Sequence, residues 1–178
     1  MHYIPIFVGK LVGKISNKLN RAGSTWPGHI ALKTKSNFIG SIMKKNPQLK
    51  VVLVAGTNGK TTTTKLIQEI LEKEGHRVFR NEAGANLLNG IASSIVLNSN
   101  SGGALPFDVA LFEVDENSLP VVLEQINPFG IILLNLFRDQ LDRYGEVNTI
   151  AKKWQEALGK APRQTILITN GDDPMLSF

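Results

Sequence analysis

The segment Gly56-Thr57-Asn58-Gly59-Lys60-Thr61-Thr62 brings together the parts needed to grip a row of phosphates. Glycines let successive backbone N–H groups turn inward on an anion, a helix opening at the end of the loop adds its partial positive charge, and a lysine ammonium reaches the outer phosphates. A hydroxyl directly after the lysine, here Thr61, is placed to hold Mg²⁺. The spacing is a shortened variant: Val54 stands where the generic motif has its first glycine, and only two residues separate Gly56 from Gly59. Residues 108–113, Asp-Val-Ala-Leu-Phe-Glu, form an apolar run that ends on a carboxylate. Strands often end in a solvated acid. Open parallel sheets, however, gather their ligands beyond the carboxyl ends of their strands, which makes Glu113 the candidate for a second Mg²⁺ contact.

The elements that must position these groups are legible in the pattern around them. Residues 51–55, Val-Val-Leu-Val-Ala, are short, wholly apolar and β-branched, as a strand buried on both faces requires, and a helix is predicted over 60–74. The alternation then repeats, with strands predicted at 77–80, 108–114, 129–135 and 164–169 and helices near 86–97, 118–126 and 147–159. Ser118 and Pro120 sit where a helix N-cap and an early helical proline belong. Strands alternating with helices mean an α/β fold with a parallel sheet and flanking helices. Polar or glycine-rich clusters follow every strand: Asn81 to Asn86 after the second, the segment from Asn135 to Asp142 after the fourth and Asn170-Gly171-Asp172-Asp173 after the fifth. The turns leading back into the strands are short, so one edge of the sheet is elaborated and the other is not. Residues 98–104, rich in Ser, Asn and Gly, read as a surface loop.

The chain has 178 residues, 42% hydrophobic, 20% charged and without cysteine, which is ordinary globular composition at one-domain length. Disulfide frameworks, thiolate metal sites and cysteine nucleophiles are thereby excluded, and a reducing cytoplasm is the expected setting. No apolar run approaches the length of a spanning helix, and Lys10 and Lys14 interrupt the N-terminal apolar stretch, which reads as mature sequence. The formal charge of +5 hides an asymmetry: residues 1–50 hold nine Lys/Arg and no acid, leaving eleven Lys/Arg against fifteen acids in the rest. Such a basic head attracts polyanions, whether nucleic acid, anionic lipid or a pyrophosphate-bearing substrate. Within it, Ile4, Phe7, Val8, Leu11, Val12, Ile15 and Leu19 recur at helical spacing beside Lys10, Lys14 and Lys18. That helix is expected to dock its apolar face on the body, the membrane surface being the less common use of the pattern. Residues 23–29, with Trp26-Pro27-Gly28, read as a turn with Trp26 as a packing residue, followed by short helical pieces over 30–45.

Taken together, the loop Gly-Thr-Asn-Gly-Lys-Thr-Thr-Thr-Thr from Gly56 resembles the phosphate loop of the Mur ligase and folylpolyglutamate synthase superfamily. Further segments narrow the resemblance to its MurT branch. They are Asn81-Glu82-Ala83-Gly84-Ala85-Asn86, Gly90-Ile91-Ala92-Ser93-Ser94, Glu113-Val114-Asp115-Glu116 and the stretch Asn135-Leu136-Phe137-Arg138-Asp139-Gln140-Leu141-Asp142-Arg143-Tyr144-Gly145-Glu146, with Trp26-Pro27-Gly28 as a Leu-Pro-Gly-like turn. The resemblance implies a basic helical N-terminal segment, residues 1–48, and a P-loop Mur ligase central domain over 49–178 whose later parts lie beyond this chain. It implies ATP and Mg²⁺ as cofactors, a GatD-like glutaminase as partner and lipid II as substrate. The reaction would be ATP-dependent amidation of the α-carboxyl of D-glutamate to D-isoglutamine during peptidoglycan synthesis. By motif, Lys60 and Glu113 carry the chemistry, Gly56, Thr57, Asn58, Gly59, Lys60, Thr61 and Thr62 contact phosphates, Thr61 and Glu113 hold metal, and Asn170 meets the nucleotide base. Asn86, Asp139 and Arg138 line the acceptor side. The basic head would face the lipid II pyrophosphate or the anionic inner leaflet, making the protein cytoplasmic with peripheral contact at the membrane.

Gln140 stands where many amino-acid-adding Mur ligases have histidine; it cannot titrate near neutrality, which favours the MurT branch. The four-cysteine zinc ribbon of many members is excluded by composition, and the family's later catalytic aspartate falls outside the sequence, so this chain is expected to be part of an enzyme. Two other readings stand beside it: a non-catalytic ATP-binding module, and another ligase of the same superfamily. A module would gain no ATP turnover when the absent parts and a glutaminase are supplied. Nucleic acid is not an expected partner, since the head has few aromatics and no recognition motif. His2, His29 and His76 share no ligand spacing, Ser93-Ser94 lacks a nucleophile elbow, and the paired acids Asp115-Glu116 and Asp172-Asp173 read as solvated loop residues, Asp115 keeping a motif-based role.

Overall fold

The computed structural model describes residues 3–18, 25–82, 84–137 and 146–176. Three helices come first: α1 (Tyr3–Lys18), α2 (Trp26–Thr34) and α3 (Phe38–Lys45). Strands and helices then alternate as β1 (Lys50–Ala55), α4 (Lys60–Lys73), β2 (Val78–Arg80), α5 (Leu88–Asn98), β3 (Val109–Val114), α6 (Leu119–Leu123), β4 (Gly130–Leu133), α7 (Glu146–Leu158) and β5 (Ile166–Thr169). All five strands pair in parallel, in the order β2-β3-β1-β4-β5. From β1 the chain moves one way to the β2 edge and afterwards returns across β1 toward β5. That reversal leaves a crevice at the carboxyl end of β1, beside β4, where open α/β sheets take ligands.

Side-chain alternation sorts the strands into two faces. Val51, Leu53 and Ala55 of β1, Ala110, Phe112 and Val114 of β3, and Ile131 and Leu133 of β4 join the main core with residues from α2, α3, α5, α6 and α7. Val54, Val109 and Leu111 face the other way, onto Ile67 and Leu71 of α4. Glu113 shares the parity of Val109 and Leu111, so the same alternation that fills the smaller core turns its carboxylate toward α4. The N-terminal helices belong to the main core through Ile6, Ala31, Phe38, Ile39 and Ile42. Among the described residues no helix is long and apolar enough to cross a membrane.

Three helices depart from the sequence expectations. Residues 26–29 are not a turn but the first turn of α2, with Pro27 at the early helical position that its missing N–H permits. Gly28 is there for packing: a Cβ would lie 2.0 Å from the Asn89 carbonyl oxygen and 2.4 Å from Ser93 N on α5. Its own N–H donates to Ser93 Oγ at 2.8 Å. Trp26, expected to pack, is 56% exposed. The second departure is α1, which docks by another side than expected: Pro5, Ile6, Gly9 and Gly13 are buried while Ile4, Phe7 and Leu11 face outward. The third is α6, which is shorter than the predicted 118–126; Ser118 does precede it, but its hydroxyl makes no capping bond.

Candidate functional site

The loop after β1 leads directly into α4, whose N-cap is Gly59. Gly56 has φ +148° and Gly59 φ +85°, conformations that L side chains rarely adopt, so both glycines are required by the backbone. Around Gly56 there is also no room, since a Cβ would meet Asn135 N and O at 3.0 Å each. The loop is held in place by the segment leaving β4. Thr57 N donates to Asn135 O at 3.0 Å, Asn58 N to Asn135 Oδ1 at 2.9 Å, and Asn135 Nδ2 returns a bond to Asn58 O at 3.1 Å. Phe137 N donates to Thr57 Oγ1 at 3.0 Å. The exit of β4 is itself tied down by Asp173, 3% exposed, whose carboxylate accepts Leu136 N and Met175 N, each at 2.8 Å. Asp173 is therefore a buried structural acid, not the solvated loop residue its sequence context suggests.

Lys60 folds back over the loop, its ammonium donating to Gly56 O and, at 3.0 Å, to Thr57 O. Glu116 lies 4.0 Å away. The expected metal residues are brought together: Thr61 Oγ1 donates to Glu113 Oε2 at 2.7 Å. Thr64 Oγ1, one turn further along α4, donates to Glu113 Oε1 at 3.0 Å, and Arg80 Nη1 stands 3.5 Å from the same oxygen. Glu113 is only 1% exposed, so its charge needs such partners, and Arg80 supplies the compensating cation. Asn81 fixes the strand carrying it. Its side chain accepts Glu113 N at 2.8 Å and donates to Glu113 O at 2.9 Å, extending the ladder after β2 has ended.

The other expected site residues fall around this centre. Thr62 is exposed on the first turn of α4. Asn170 is exposed beyond β5, its Oδ1 accepting Asp172 N at 3.1 Å. It lines an open cleft of about 400 Å³ shared with Asn58, Gly59, Thr63, Leu134 and Asn135. Asn86 accepts Asp115 N through its carbonyl at 3.0 Å, and Asp115 Oδ1 accepts Asn117 N, so Asp115 organises the turn into α6. Arg138, Asp139 and Gln140 lie outside the described residues. Sequence reasoning set Asn81 and Asn135 in the family segments without giving them a role, and missed Thr64 and Asp173 as working parts. Each acts on a partner far away in the chain or, for Thr64, was read only as part of a threonine run; the positions of Asn135 and Asn81 at strand ends were the available signal. Among the described residues no three His, Cys, Asp or Glu cluster as a metal cage. One carboxylate and one hydroxyl beside a glycine loop match in kind the sparse oxygen donors that Mg²⁺ generally takes together with phosphates and water.

The Mur ligase middle domain profile matches residues 54–178. The MurT subunit of the glutamine-hydrolysing lipid II isoglutaminyl synthase of Streptococcus pneumoniae is 37% identical over 172 residues, covering 94% of this chain and 37% of that protein. The corresponding subunit of Staphylococcus aureus is 33% identical, covering 97% of this chain and 38% of its own length. The chain thus spans under two-fifths of these curated relatives. Among solved structures, the MurF ligase of Thermotoga maritima in complex with ADP superposes with a TM-score of 0.67 at 23% identity, over 82% of this chain and 33% of that one, which shows a shared fold. With its parallel five-stranded sheet and its glycine loop at the carboxyl end of β1, the chain belongs to the Mur ligase middle domain family.

Proposed function

We propose that this chain is the ATP-binding part of a MurT-type amide ligase, which activates the α-carboxyl of D-glutamate in lipid II for amidation with ammonia from a GatD-like glutaminase. The observation that carries the reading is the junction of Lys60, Thr61 and Glu113 at the mouth of the glycine loop, with Thr61 and Glu113 bonded at 2.7 Å. In this reading the loop amides and the Lys60 ammonium take the β- and γ-phosphates, the lysine exchanging its bonds to Gly56 O and Thr57 O for phosphate oxygens. Thr61 and Glu113 hold Mg²⁺, which when bound neutralises charge on those oxygens. The γ-phosphoryl group passes to a carboxylate oxygen, giving ADP and an acyl phosphate. Ammonia then forms the C–N bond as phosphate leaves with the C–O electron pair and a proton is released. The protein's share of this is positioning and electrostatic stabilisation.

Asn170 is assigned to the base side of the cleft, and Asn86, Arg138 and Asp139 to the acceptor side. The basic residues 1–48 and the unit over 49–178 act as one body in this scheme, because their apolar side chains share one core. The test is calorimetry of ATP binding with and without Mg²⁺. Saturable binding is expected for the parent, lost in Lys60→Ala and stripped of its Mg²⁺ dependence in Glu113→Ala. A folded parent that binds no nucleotide would overturn the reading.

A further inference from the structure

Helix α1 is seated the opposite way round from an ordinary amphipathic core helix. Its buried side is Pro5, Ile6, Gly9 and Gly13. A Cβ on Gly9 would meet Val96 Cγ1 at 2.8 Å and Pro27 O at 3.1 Å, and one on Gly13 would meet Leu97 Cδ2 at 3.0 Å, so this side admits nothing larger without shifting its neighbours. Three bulky apolar residues are on the other side, with Ile4 60%, Phe7 70% and Leu11 51% exposed. They follow one another at three- and four-residue spacing, and the sequence continues that spacing into Lys14 and Lys18. Lys10, between the two sides, is turned onto Ser99 O. Beside α1, α2 opens on Trp26, 56% exposed and edge-on to His29.

We propose that the outer face of α1 seats on an anionic phospholipid bilayer, with Ile4, Phe7 and Leu11 at the acyl boundary and the lysines among the headgroups. A row of aliphatic and aromatic side chains that runs into lysines is the composition such an interfacial helix needs. Charge selects this occupant over a second copy of the chain. Helix α1 carries three lysines and no acid, so a pair meeting through it would set like charges together, while an anionic leaflet complements each. The inference rests on α1 and its neighbours alone and is independent of the nucleotide reading.

The experiment is vesicle co-sedimentation of the 178-residue chain, with pure phosphatidylcholine against phosphatidylcholine containing phosphatidylglycerol, and Trp26 emission as a second readout. Trp154, the other tryptophan, is fully buried and serves as the internal constant. Binding is expected only to the anionic vesicles, with a blue shift of Trp26. The pair Lys14→Ala, Lys18→Ala should weaken it about fivefold per lysine at low salt. The pair Phe7→Ser, Leu11→Ser should weaken it roughly tenfold or more, leaving circular dichroism unchanged because both side chains are exposed. Equal binding to neutral vesicles, no binding by the folded parent, or variants that bind like the parent would each overturn the proposal. So would a concentration-dependent dimer that Phe7→Ser dissolves, since a second copy would then cover the face.

Discussion

Replacing Asn135 by alanine is expected to weaken ATP binding about 5- to 30-fold while leaving the fold intact. The side chain makes two bonds to Asn58, at 2.9 and 3.1 Å, and they are the side-chain bonds that clamp the centre of the glycine loop. Each neutral hydrogen bond contributes about 0.5–1.5 kcal/mol net, with the lower half of that range applying where water can replace it, as it can here. The same quantity follows from the other direction, because re-ordering one released backbone residue on binding costs about 1–2 kcal/mol. Both routes describe one effect, and about 1–2 kcal/mol converts to the stated change at 1.4 kcal/mol per tenfold. The loop is not set free altogether: Thr57 keeps its bonds to Asn135 O and Phe137 N, so the melting temperature should fall by only a few degrees. Calorimetric titration with Mg·ATP, paired with thermal unfolding of the same preparations, is the assay. A dissociation constant within about twofold of the parent, in a variant that still unfolds cooperatively, would refute the idea that this clamp pre-forms the phosphate site.

Gly28→Ala opposes helix propensity to packing. Alanine gains about 1 kcal/mol as a helix former, but overpacking at a backbone contact costs about 1–3 kcal/mol and disturbing the buried bond to Ser93 about 1–3 kcal/mol more. A net loss of about 2–4 kcal/mol should lower the melting temperature by roughly 5–15 °C, as read by circular dichroism; an unchanged or raised value would show that α2 moves off α5 freely. Asp173→Ala should destabilise by about 2–4 kcal/mol in urea unfolding, because Leu136 N and Met175 N lose a buried carboxylate, whereas Asp173→Asn, which keeps an acceptor, should lose clearly less. Arg77 grips Asp108 through its backbone N–H and its guanidinium at 2.8–3.1 Å, and these bonds hold the Asp108 carboxyl well below the usual carboxylate range. The folded-state value being the lower one, the stabilisation is present above the unfolded pKa of about 4 and is lost as pH falls toward the folded value. Urea midpoints of the parent and Asp108→Asn should accordingly differ at pH 6 and converge in strong acid; a constant gap would contradict this.

What could be read from the sequence was local and periodic. The run at 51–55 and the glycine loop located β1, the start of α4 and the site edge, because a doubly buried strand and a phosphate loop both leave contiguous signatures. Glu113 was visible as an acid at a strand end, and its face followed once Val109 and Leu111 were seen to point at α4. The parts that were hidden depend on partners distant in the chain. Asn135 reaches Asn58 across 77 positions, Asp173 reaches Leu136 across 37, and Asn81 reaches Glu113 across 32. Proline and glycine after Trp26 looked like a turn because the reason for Gly28 lies on α5. The α1 periodicity was real, but periodicity reports that a helix has a distinct side without saying which side turns inward; Gly9 and Gly13 decided that by fitting against Val96, Leu97 and Pro27.

One edge of the sheet bears on how the chain behaves in the test tube. Ile166, Leu167 and Ile168 of β5 are 49%, 47% and 55% exposed, so successive side chains are open on both faces while the outer backbone edge is free of a partner strand among the described residues. The stretch from Gln164 to Thr169 has no charge, no proline and strong β propensity, the composition that recruits like segments into stacked strands. Copies of this chain are therefore expected to associate through β5 at high concentration, and Leu167→Lys is expected to raise the concentration at which light scattering still reads a single species.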